Sequence, residues 1–120
     1  MAKTTKKHFE IFKNECQKWI DKFQLNGWKI YFEYGGTNKN SYSTIRNNLI
    51  GHVATISFTK EWSMVGINNI NKGIKETAKH EIIHLLLARF SEIGSARYTT
   101  NDEFYEAEEE LVRKLEKIIN

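Results

Sequence analysis

The sequence predicts an α+β fold, a small sheet packed against helices. Three observations carry this. Apolar residues recur with helical spacing near both ends of the chain, they alternate with a period of two in the middle, and polar turn residues separate the blocks. At 120 residues the chain can build one core and not two, so residues 1–120 are read as a single domain. The 40% hydrophobic fraction, with 12% aromatic residues, fills an interior and excludes global disorder. One cysteine excludes both an internal disulfide framework and a Cys-rich zinc module. With four histidines in the chain, any two at a meaningful spacing matter.

The first block runs from His8 to Phe23, with Phe9, Phe12, Cys16, Trp19, Ile20 and Phe23 on one helical face and lysines opposite. Asn26-Gly27 stops it. Trp28 to Tyr34 then alternates, placing Trp28, Ile30, Phe32 and Tyr34 on one side of a strand. A loop follows from Gly35 to Ser41. The next extended region covers Tyr42 to Arg46 and Leu49 to Thr59, folded back at Asn47-Asn48, with Ile50, His52, Ala54, Ile56 and Phe58 sharing a face. The Asn-rich segments, Asn38 to Asn48 and Asn68 to Asn71, read as loops and turns. The interval from Glu61 to Ile70 has no clear period and is read as irregular. Asn71 is expected to cap a helix from Lys72 to Phe90, with Gly94 ending the segment after it. Thr100 and Glu103 stand at capping-box spacing before a last helix that reaches Ile119. The sheet is expected to be small, mixed or antiparallel.

The chemistry lies in His80-Glu81-Ile82-Ile83-His84. Two histidines four apart on a helix project from one face, one turn apart, and can converge on one ion. Nitrogen-to-zinc distances are about 2.0–2.1 Å. Glu81 is turned about 100° from His80 around the axis. It is badly placed as a further ligand there, but it can reach a water on the metal, take its proton and pass it to a leaving amine. The motif is H-E-x-x-H, and it needs the helix that the flanking periodicity predicts independently. The bland alternative is an apolar helix whose histidines merely fall four apart. Ile82, Ile83, Leu85, Leu86 and Leu87 bury that helix on either reading, and buried histidines and a glutamate need a partner.

A catalytic zinc site takes three protein ligands and leaves a position open. His8 and His52 both precede the motif, so the third ligand is expected to be a carboxylate from the last helix. Taking 100° per residue, Ala107, Leu111, Leu115, Ile118 and Ile119 cluster within about 60° of Phe104 and define its inward stripe. Glu108 falls inside that stripe, whereas Glu103, Glu106, Glu109, Glu110 and Glu116 lie more than about 90° away. Glu108 is therefore the expected third ligand, with Glu109 second in order and Asp102 third.

These residues resemble the gluzincin arrangement of zinc metallopeptidases, in which H-E-x-x-H is followed by a glutamate on a later helix. The stretches Lys79 to Leu87 and Ala107 to Glu116 are also similar to small metallopeptidases of phages and prophages. The element order looks like a minimal zincin core: an N-terminal helix, a small sheet, the motif helix and a glutamate helix. The resemblance implies a strand beside the metal along which substrate lies extended, and Ala54 to Phe58 is the candidate. More distantly related SprT-like proteins complete the site with a third histidine, which this chain lacks.

The expected protein is a zinc-dependent peptidase, with Zn2+ held by His80, His84 and Glu108, Glu81 as general base, and a polypeptide substrate. An oxyanion-steadying donor could come from Tyr98, Tyr105, Arg97 or His52. The alternative is a non-hydrolytic zincin-fold metal-binding module acting in regulation or interaction, such as a phage accessory protein. Cys16 and the three tryptophans are read as core. The net charge of +3 makes no case for nucleic acid, although the lysines of the first helix form a basic face. No apolar run approaches the roughly 18 residues of a membrane span. The basic start, Met1 to Lys7, lacks the apolar segment of a secretory signal, so the expected compartment is the cytoplasm.

Overall fold

The computed structural model describes residues 2–37, 41–62, 70–95 and 100–119. The elements run β1 (Ala2–Lys3), α1 (Lys6–Lys22), β2 (Lys29–Tyr34), β3 (Ser43–Asn48), β4 (Val53–Phe58), β5 (Glu61–Trp62), α2 (Ile70–Leu86), α3 (Ala88–Ser95) and α4 (Asn101–Ile118). The fold is α+β: the described residues form four helices with a three-stranded mixed sheet of order β2-β4-β3, and a short antiparallel β1-β5 pair. None of the described helices is long and apolar enough to cross a membrane.

Helix α1 starts where Thr5 caps it. The Thr5 hydroxyl accepts from the His8 amide, and the His8 imidazole accepts in return from the Thr5 amide. Its end is a Schellman turn: the Leu25 amide donates to the Ile20 carbonyl and the Gln24 amide to that of Asp21. Gln24 takes the left-handed conformation, with φ at 58°, so the helix ends before Asn26-Gly27. The buried face carries Phe12, Cys16, Trp19 and Ile20, as the periodicity requires. Burial pushes the Cys16 thiol well above its usual range, with Glu81 and Glu15 adding to the shift, which keeps it a neutral thiol in the core.

Strand β4 is the centre of the sheet. It runs parallel to β2, pairing Ile30 with Ala54 and Phe32 with Ile56, and antiparallel to β3, pairing Ser43 with Phe58 and Asn48 with Val53. Ile56 and Phe58 are fully buried, and Phe12 of α1 stacks on Phe58 at 4.7 Å between ring centroids. Ile74, Ala78 and Ile82 of α2 complete this core.

The structure corrects several boundaries. Asn47 and Asn48 are paired residues of β3, and the chain reverses at 49–52 instead, where Asn48 accepts from the Gly51 amide and His52 takes a φ of 51°. Ile50 sits at that turn almost wholly exposed, off the face it was expected to share with Ala54. Asn71 lies inside α2 and does not cap it. The predicted helix to Phe90 is divided at Leu87, and α3 turns so that Phe90 meets Phe104 of α4 at 5.5 Å. Residues 63–69, within the interval read as irregular, lie outside the described residues.

A test follows from the end of α1. Gln24→Gly removes a Cβ from the left-handed position and is expected to stabilise by about 0.5–1 kcal/mol. Gln24→Val is expected to destabilise, and thermal melts of the two variants check the sign.

Candidate metal centre

Helix α2 directs His80 and His84 to one side, and α4 crosses in front of them. The two Nε2 atoms lie 3.1 Å apart. Glu109 stands over the pair, with Oε1 2.7 Å from His84 Nε2 and Oε2 3.9 Å from His80 Nε2. His80, His84 and Glu109 thus form a group whose ligand atoms all lie within 4.8 Å of one another, close enough to hold a metal ion.

Each imidazole is held from behind. His84 Nδ1 donates to Glu108 Oε1 at 3.1 Å, and His80 Nδ1 donates to Glu116 Oε1 at 2.8 Å. A carboxylate accepts, so each Nδ1 carries a hydrogen and Nε2 is the nitrogen each ring offers to an ion. Tetrahedral zinc with ligands at 2.0–2.1 Å would set the two nitrogens about 3.3 Å apart. The donor set therefore fits such an ion: two nitrogens, one carboxylate, and outer carboxylates that orient the rings.

Glu108 is buried, as the helical stripe predicted, but its contact is with the rear nitrogen of His84. Glu109 occupies the position facing both Nε2 atoms. The reason lies in the rotation of α4. Glu108 and Val112 mark the centre of its buried face, while Leu111 is 37% exposed and Ala107 is exposed as well. The helix is turned roughly 60° from the orientation its apolar stripe gives, at 100° per residue. This brings Glu109 and Glu116 round to the histidines. Glu116, placed from sequence away from the inward stripe, is the contact missed. Its signal was the seven-residue spacing from Glu109, which puts the two on one face. Asp102 is exposed in the first turn of α4 and belongs to no such cluster.

Glu81 is 7% exposed beneath the histidines. Burial pushes its carboxyl above the ordinary range. His84 and His80 pull it partly back, and Glu109 and Glu116 add repulsion. A cleft of about 750 Å³ opens in front, bounded by Glu81, His80, His84 and Glu109, by Tyr105, and by β3. Consecutive residues Ser43, Thr44 and Ile45 all border it, so β3 presents its edge and not one face. Ala54 to Phe58, expected as the substrate strand, is corrected by the topology. That segment is β4, hydrogen-bonded on both sides, and the available edge belongs to β3.

Of the four expected oxyanion donors, Tyr105 lines the cleft. Desolvation first, then Glu109, Glu108 and Glu81, raise its phenol above the usual value, so it stays a protonated donor. His52 lies in the 49–52 turn, stacked on Trp28 at 5.1 Å and outside the cleft lining. Arg97 and Tyr98 lie outside the described residues.

The fold and cluster define an α+β domain with a histidine–carboxylate centre able to hold a metal. Comparison with protein-family models, with curated proteins and with solved structures gives no match to this chain.

Zinc titration against a competing chelator separates the roles on α4. Glu109→Ala is expected to weaken binding the most. Glu108→Ala and Glu116→Ala should each cost about 10–100-fold, the range for carboxylates that orient a metal-binding histidine. The reverse order would make Glu108 the ligand.

Proposed function

We propose that this protein is a zinc-dependent peptidase in which His80, His84 and Glu109 hold the ion and Glu81 serves as general base and then acid. The observation that carries this reading is the pair of Nε2 atoms 3.1 Å apart, each fixed from behind by a carboxylate and faced by Glu109. Zinc in such a site supplies a Lewis acid for a carbonyl and lowers the pKa of water to about 7. Every other requirement falls on the chain. Glu108 and Glu116 are positioning residues that hold the two rings in the metal-binding tautomer. Glu81, adjacent to His80 and bordering the same cleft, accepts the proton of the attacking water on a carboxylate oxygen and returns it to the leaving amine. A carboxyl raised by burial is suited to both halves of that transfer.

Tyr105 is the donor assigned to the oxyanion, since it borders the cleft one helical turn before Glu109. The polypeptide substrate adds as a strand along β3, whose outer edge borders the cleft for most of its length. Strand addition supplies backbone hydrogen bonds that hold the scissile bond still at the cluster.

Hydrolysis of an unfolded protein substrate by the zinc-loaded chain, followed by mass spectrometry, is the direct test. Glu81→Gln should abolish turnover while zinc binding stays close to that of the parent. Tyr105→Phe should lower kcat by about 10²-fold with little change in zinc affinity. Stoichiometric zinc without turnover would leave the non-hydrolytic module, and a protein purified free of metal that fails to bind zinc would remove both.

A further inference from the structure

The cleft continues past the cluster. Beyond His80 lies a second recess of about 400 Å³, which shares Ser41, Ser43, His80 and Glu81 with the first. Its wall is aromatic. Tyr42 stacks on Trp62 with ring centroids 3.9 Å apart and planes 13° from parallel. Trp62 is buried and fixed from beneath by Gly73, where even a Cβ would come within 3.0 Å of the indole. Tyr42 is 39% exposed and forms the open surface of the stack.

Glu76 and Glu116 line the same recess. Glu116 is committed to His80. Glu76 is exposed one turn before His80 on α2, and it takes part in none of the ion pairs among the described residues. Glu81, 7% exposed, lines both recesses. Among the described residues no lysine or arginine lines either recess, although the chain as a whole carries a net charge of +3. The described lining of this recess is acidic, which favours a cationic ligand there, while on their other side Glu76 and Glu116 border Lys79, Arg113 and Lys117.

An aromatic shelf leading to carboxylates matches one kind of side chain, an apolar stem ending in a cation. The stem lies on Tyr42, and the charged tip reaches Glu76 and Glu116. A chain laid along the edge of β3 brings one of its residues to the Tyr42–Ser43 end, beside this recess. We propose that the recess formed by Tyr42, Trp62, Glu76 and Glu116 is a specificity subsite that selects an extended polypeptide carrying lysine or arginine at a fixed position close to the bond held at the cluster. This rests on the peptidase reading above and names its substrate class.

The experiment uses the zinc-loaded protein and a set of short peptides that differ only by lysine, norleucine or glutamate at each position in turn. Cleavage is followed by mass spectrometry. At one fixed offset from the cut, lysine should be preferred over norleucine by about tenfold, and glutamate should be cleaved least. Glu76→Lys should bring the lysine-to-norleucine ratio close to one, and as Glu76 is exposed the fold is expected to tolerate the change. Cleavage with equal rates for lysine and norleucine overturns the subsite and leaves the peptidase. A second measurement keeps the two apart: binding of the same labelled peptides to the zinc-loaded Glu81→Gln variant, read by fluorescence anisotropy. Tighter binding of lysine peptides that depends on Glu76, with no cleavage by the parent, supports the subsite and removes the peptidase. Neither cleavage nor preferential binding removes both.

Discussion

The contact between α4 and the histidine face of α2 is the interaction on which the site depends. His80 and His84 sit on a helix whose other positions, Ile74, Ala78, Ile82 and Ile83, are fully buried. Their rings are half-buried beside that packing, and protein groups supply the polar partners they need. Helix α4 brings three. Glu108 and Glu116 take the rear nitrogens, and Glu109 faces the front. Satisfying these groups costs α4 some apolar burial, since Leu111 and Ala107 are left exposed. Each Å² of apolar surface so exposed costs roughly 25 cal/mol, against roughly 1–3 kcal/mol for each buried polar group left without a partner.

The sheet serves this contact by placement. Because β4 is central, its two hydrogen-bonding edges are consumed, and β3 is pushed to the border of the cleft. An edge strand with an unpaired ladder invites association, which proteins normally suppress. Here the edge borders the candidate centre. Trp62, buried in the short β1-β5 pair, gives the second recess a fixed aromatic boundary.

Much of this was legible from residue order. The motif helix, the buried face of α1 and the alternation of β2 follow from periodicity, because core-facing positions must repeat with the helix or the pleat. Thr100 at the start of α4 was legible for the same local reason, its hydroxyl accepting from the Glu103 amide. The burial of Glu108 was read correctly from the stripe, yet its contact was not. Periodicity gives the direction of a side chain relative to its own helix and says nothing of what stands opposite. Asn47 and Asn48 look like turn residues by type, but β3 holds them as a strand because β4 supplies hydrogen bonds along its whole length.

The sequence by itself determined that two histidines and a glutamate share one buried helical turn, and that a carboxylate-rich helix follows it. Those are statements about spacing, and spacing is local. Only the tertiary structure decided which carboxylate faces which nitrogen and which strand keeps a free edge. Both depend on the rotation and order of elements relative to one another. That rotation was set by a competition between an apolar stripe and buried polar groups in need of partners, and in α4 the polar groups prevailed.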